Sequence, residues 1–116
     1  MSNISCFYYL TESGRSQVKD FIDSLDQRTQ RKFFFIKGLL EEFGRSLPEP
    51  HAKHIGNEIF ELRFRGQKGN VRIMYFFFHH DKVIFTNGFI KKTNKAPKKE
   101  INTAIERKKS FLERHK

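Results

Sequence analysis

Hydrophobic and polar residues recur along this chain with two different periods, and the changes of period mark its elements. Ile4 to Tyr9 is a short apolar and aromatic run that predicts a first strand. Thr11 to Gly14 breaks it. Val18, Phe21, Ile22 and Leu25 then recur at helical spacing, with Lys19, Asp20 and Asp23 between them, so a helix is expected to end near Leu25. Asp26 is suited to cap a second helix. Phe33, Ile36, Leu40 and Phe43 recur at intervals of three and four, and Phe34, Phe35 and Leu39 widen that stripe. The second helix therefore runs from Gln27 to Phe43, and Gly44 stops it. The two helices are close enough in sequence to form an antiparallel hairpin.

Arg45 to Asn57 carries Pro48, Pro50 and Gly56 and reads as a loop. From Glu58 the period becomes two. Phe60, Leu62 and Phe64 alternate with Glu61, Arg63 and Arg65, and Gly66 to Gly69 makes a turn. Val71, Ile73, Tyr75 and Phe77 alternate with Arg72, Met74 and Phe76, His79 to Lys82 makes a second turn, and Val83 to Ile90 is a third strand of this group. Pro97 suits the first turn of a last helix, whose apolar stripe is Ile101, Ala104, Ile105, Phe111 and Leu112. The order β-α-α-β-β-β-α predicts an α+β fold. A helical hairpin packs on an antiparallel sheet, a helix closes the chain, and residues 1–116 form a single domain.

Composition changes this picture in two respects. Only 37% of the 116 residues are apolar, but fourteen are phenylalanine, so the core is expected to be aromatic. The net charge is +10, and the last 26 residues hold ten Lys or Arg against Glu100, Glu106 and Glu113, a net +7. A polyanion, nucleic acid first, is the partner such a field attracts. One cysteine excludes an internal disulfide and a Cys-rich zinc module. No apolar run reaches the ~20 residues of a membrane span, and the first ten residues lack the pattern of a signal peptide. A cytoplasmic protein without membrane contact is the expectation.

Alternation also decides which side chains share a face. With Phe60, Leu62 and Phe64 toward the helices, Glu61, Arg63 and Arg65 face away, as do Arg72, Met74 and Phe76. Two registers are open: a four-residue turn sets Arg63 opposite Arg72, and a six-residue turn sets Glu61 opposite Arg72. The first opposes like charges, at a cost of ~0.2–1 kcal/mol that a phosphate site would justify. On the third strand Phe85, Asn87, Phe89 and Lys91 fall on the same face, with Phe89 opposite Arg72 and Lys91 opposite Asn70. Cations around Met74, Phe76 and Phe89 suit phosphates and unstacked bases. The alternative is an aromatic face covered by the last helix, with the cations at its edge. His51 and His54 read as ordinary loop residues, although an imidazole there could move a proton. His79 and His80 lack the acidic or thiol partners of a metal site.

The runs Ile59–Arg65 and Asn70–Phe77 resemble the RelE/ParE toxin superfamily. Asn87-Gly88-Phe89-Ile90-Lys91-Lys92-Thr93-Asn94-Lys95-Ala96-Pro97, with the helix containing Glu100, Ile101, Ala104 and Arg107, resembles its HigB-like, phage-derived branch. The resemblance spans nearly the whole chain. It implies a toxin of a type II toxin–antitoxin pair that cleaves mRNA on the translating ribosome. The RNA's 2′-hydroxyl attacks the adjacent phosphate, with no metal or other cofactor. Arg63, Arg72 and Lys91 are the implied catalytic residues, and Arg65, Phe89, Lys92 and Lys95 the implied RNA contacts. The implied partners are mRNA, the ribosome and a cognate helix-turn-helix antitoxin, with operator DNA bound only through the antitoxin complex. The chain departs from the pattern in lacking a tyrosine in the last helix, so no general base is identified. A ParE-like inhibitor of gyrase, or a catalytically silent RNA-binding module, is the other reading of the same fold.

Overall fold

The computed structural model describes residues 4–92 and 97–116. Five strands, β1 (Ser5–Tyr8), β2 (Ala52–Gly56), β3 (Ile59–Gly66), β4 (Gly69–Phe78) and β5 (Lys82–Lys91), form one sheet. Their lateral order is β1-β5-β4-β3-β2. Three helices, α1 (Gln17–Asp23), α2 (Gln27–Phe43) and α3 (Lys98–Arg114), complete an α+β fold consistent with a RelE-like architecture.

The start of α2 follows from local chemistry. Asp26 accepts hydrogen bonds from the Thr29 backbone N–H (3.1 Å) and hydroxyl (2.6 Å), satisfying a donor the first helical turn would leave orphaned. Gly44 ends the helix with φ of 56°, a conformation a side chain would oppose. The α1–α2 hairpin buries Val18, Ile22, Phe33 and Leu40 against Leu62, Ile73, Tyr75 and Phe85 of the sheet. On the opposite face α3 lays Ile101, Ala104, Ile105 and Phe111 over Met74, Phe76 and Ile84.

Several expectations are corrected. Residues 52–56 are a strand and not part of a loop. β2 is an edge strand whose Lys53 and His54 are exposed, so it carries no apolar alternation to reveal it. It joins β3 through Asn57 and Glu58, both in the left-handed region (φ 54° and 59°), the geometry of a two-residue hairpin turn. The sheet is not wholly antiparallel, because β1 pairs with β5 in parallel at the far edge. Phe85 lies on the hairpin face rather than with the arginines. Between β4 and β5 the register slips after Met74, which pairs with Asn87, whereas Tyr75 pairs with Phe85. Thr86 is thus an extra residue, and the residues beyond it change face. Met74 and Phe76 are fully buried beneath α3 instead of lining an open face. Phe34 and Phe35 are not part of the α2 core stripe: they are 53% and 66% exposed.

Candidate functional site

A two-residue turn, Gln67-Lys68, follows Gly66 and returns the chain at Gly69, which selects the register that sets Arg63 opposite Arg72. Three rows then cross the sheet on the face opposite the hairpin. Glu61, Met74 and Asn87 form the first, Arg63, Arg72 and Phe89 the second, and Arg65, Asn70 and Lys91 the third. The first turn of α3 is fixed on the first row, where the Asn87 amide donates to Glu100 O (3.1 Å) and Glu100 Oε1 (3.0 Å). From there α3 runs over Met74 and Phe76, away from the arginines.

The two opposed guanidinium groups share one carboxylate. Arg63 Nε donates to Glu61 Oε1 at 2.9 Å, and Arg72 Nε lies 3.3 Å from the same oxygen. The side chains of Glu61, Arg72 and Arg63 are 6%, 12% and 22% exposed. Both sequence readings are therefore partly realised. Arg63 opposes Arg72 in register, and Glu61 reaches diagonally to compensate them. The compensation is incomplete, since Arg72 Nε is buried without an aligned hydrogen-bond acceptor. Burial and the Arg63 charge hold the Arg72 guanidinium below its usual pKa, and Glu61 opposes them. One Arg72 Nη donates to Val71 O at 3.2 Å, and Glu49 approaches Arg63 Nη1 at 3.8 Å. The remaining Nη2 groups of Arg63 and Arg72 have no hydrogen-bond partner among the described residues. Two preset cations with donors to spare are what a phosphodiester requires.

These arginines open into a cleft of about 570 Å³ where the last residues of β3 run past the end of β2. Its walls include Lys32 and Phe35 of α2, His51 from the segment before β2, and Arg63, Arg65 and Arg72. Lys32 Nζ donates to Arg65 O at 3.0 Å, and Arg63 N donates to His51 O at 2.8 Å, so both walls are tied to β3. Of the residues expected from sequence, the cleft brings together Arg63, Arg65 and Arg72. Lys91 follows on the same sheet face, across Asn70 from Arg65, but outside the lining. Phe89 is half-buried and packs with the α3 core, and Lys92 is exposed just past β5. Lys95 lies outside the described residues. Lys32, Phe35 and His51 complete the cleft. The sequence had offered His51 as a loop residue whose imidazole could move a proton, and Phe35 only as core, since nothing in it placed α2 beside the end of β3.

Among the described residues no group of three His, Cys, Asp or Glu is positioned to hold a metal ion, and no helix is long and apolar enough to cross a membrane. Residues 20–109 match the family model described as phage derived protein Gp49-like (DUF891). No curated protein matches the chain.

Proposed function

Because the chain belongs to the Gp49-like phage-derived family, a RelE- and toxin-like family, we propose that it is the toxin of a type II toxin–antitoxin pair. In this reading it is an HigB-like endoribonuclease that cleaves mRNA on the translating ribosome. The observation that carries the proposal is the Arg63–Arg72 pair. It is opposed across β3 and β4 at a cost, held by one shared carboxylate, and open to a cleft lined by further cations.

The chemistry follows from that arrangement. The 2′-hydroxyl of one nucleotide loses its proton and forms a bond to the adjacent phosphorus. The bond to the 5′-oxygen of the next nucleotide breaks, and that oxygen takes up a proton. The products are a 2′,3′-cyclic phosphate and a 5′-hydroxyl. Negative charge builds on the non-bridging phosphate oxygens, where Arg63 and Arg72 stabilise it without reorganising. Arg65 and Lys91 extend the cationic track along the RNA backbone, with Lys92 at its far side. His51, in the same cleft, is the side chain suited to carry the proton. No cofactor enters the reaction. An antitoxin with acidic groups answers the +10 charge, and a helix-turn-helix in it would bring operator DNA to the complex.

Induction of the chain in growing cells, followed by mapping of transcript ends, tests the reading. New ends within translated messages are expected. Growth arrest with intact transcripts and altered DNA supercoiling would overturn it in favour of a gyrase inhibitor, and unimpeded growth would overturn the toxin reading altogether.

A further inference from the structure

Three phenylalanines in succession begin at Phe33, and the fold treats each differently. Phe33 is fully buried in the hairpin core. Phe34 is partly exposed but set edge-on against Phe33, with centroids 5.2 Å apart and planes at 64°. Phe35 is 66% exposed, contacts no other ring among the described residues, and lines the cationic cleft. A ring two-thirds exposed adds little to folding beyond what alanine would supply, and it stands where charged residues would keep the surface soluble.

Its surroundings define what would cover it. Lys32 is one helical turn earlier on the same face of α2, and its bond to Arg65 O fixes that face against β3. Lys32, Arg63, Arg65 and Arg72 line the cleft with Phe35, and the nearby carboxylates, Glu61 and Glu49, already face Arg63. A flat apolar ring amid cations with unused donors fits a flat apolar group that carries phosphates. We propose that Phe35 is the stacking platform for one unpaired nucleobase of a single-stranded RNA, whose flanking phosphates are held by Lys32, Arg63 and Arg65. The proposal rests on the RNA reading of the cleft. It moves the aromatic contact from Phe89, which is packed under α3, to a ring on the opposite wall.

The test is equilibrium binding by the purified full-length chain to a short 2′-O-methyl RNA, which has no 2′-hydroxyl to react, and to a phosphodiester chain of equal length without bases. The two ligands carry the same charge, so their ratio isolates the base. Stacking of one base predicts preference for the base-bearing strand by roughly 5- to 150-fold. Phe35→Ala should abolish that preference with little loss of thermal stability, Phe35→Trp should retain it, and Phe34→Ala should leave it intact. A 2-aminopurine in the strand should be quenched by the parent chain and not by Phe35→Ala. An unchanged preference in Phe35→Ala overturns the platform while leaving the RNA reading in place. Failure to bind either strand overturns both. Unchanged RNA binding, with loss of a co-expressed acidic partner protein in Phe35→Ala, assigns the ring to a protein interface and overturns the proposal.

Discussion

Glu61 is the residue on which the candidate site depends. Its buried carboxylate is 2.9 Å from Arg63 Nε and 3.3 Å from Arg72 Nε, so Glu61→Gln leaves Arg72 without a counter-charge and Arg63 with only the exposed Glu49 at 3.8 Å. Breaking a fully buried pair costs ~3–5 kcal/mol. Both arginines keep some solvent contact here, so a loss of roughly 1–3 kcal/mol is expected in chemical denaturation. A loss within a few tenths of a kcal/mol would show that the carboxylate is not compensating them. His51 carries a different expectation. If it moves the proton, His51→Gln should slow cleavage by about 100-fold or more while RNA affinity stays unchanged. Equal rates for the two proteins would remove it from the chemistry. Cys6 serves as a contrast, because a nucleophilic role would need an accessible thiolate. Burial, with Glu41 nearby, pushes its thiol up to about 12, so the native protein should resist alkylation at pH 8 and react only when denatured. Sequence alone left Glu61 between two registers. The two-residue turn after Gly66 decides between them, and a turn of four or six residues is equally compatible with the composition of 64–69.

At the scale of elements, the strongly periodic segments were legible and the weakly periodic ones were not. The bounds of α2, Gln27 and Phe43, follow from Asp26 and Gly44, whose chemistry is local. β2 was hidden because an exposed edge strand buries only Ala52 and so carries no pattern. The Thr86 bulge was hidden because an extra residue leaves no mark on composition, yet it moves Phe85 to the other face. Met74 and Phe76 were left between an open face and one covered by the last helix, because strand alternation gives a face but not what covers it; α3 covers them. Close approach of elements was likewise legible only in part. Gly88 lies within β5 because α1 packs against it: a Cβ there would stand 2.5 Å from Phe21 Cδ2 and 2.9 Å from Ile73 Cδ1. Gly88→Ala should therefore force α1 away from β5 and cost about 1–3 kcal/mol. A mutant that unfolds at the parent temperature would mean that the Phe21 ring simply moves aside.

For the molecule as a whole, the +10 charge converges with topology. The last residues of β3 run past β2, and α3 is anchored one row short of the arginines, so among the described residues a basic cleft remains open. Binding of single-stranded RNA should weaken with salt, with a log–log slope of about −2 to −4 if three to five phosphates are engaged. Arg65→Gln should lower the slope by roughly 0.7, and a salt-independent affinity would contradict an electrostatic track. The central claim, that the Arg63–Arg72 pair performs cleavage, is tested most directly by one comparison. Purified parent protein and Arg72→Lys are each added to translating ribosomes, and the rate and termini of mRNA cleavage are read. Lysine keeps the charge but loses the planar donors. The account predicts 2′,3′-cyclic phosphate and 5′-hydroxyl ends, with a rate lowered by about 100- to 1000-fold in a variant that unfolds at the parent temperature. Intact mRNA with the parent protein, or equal rates for the two, would contradict it.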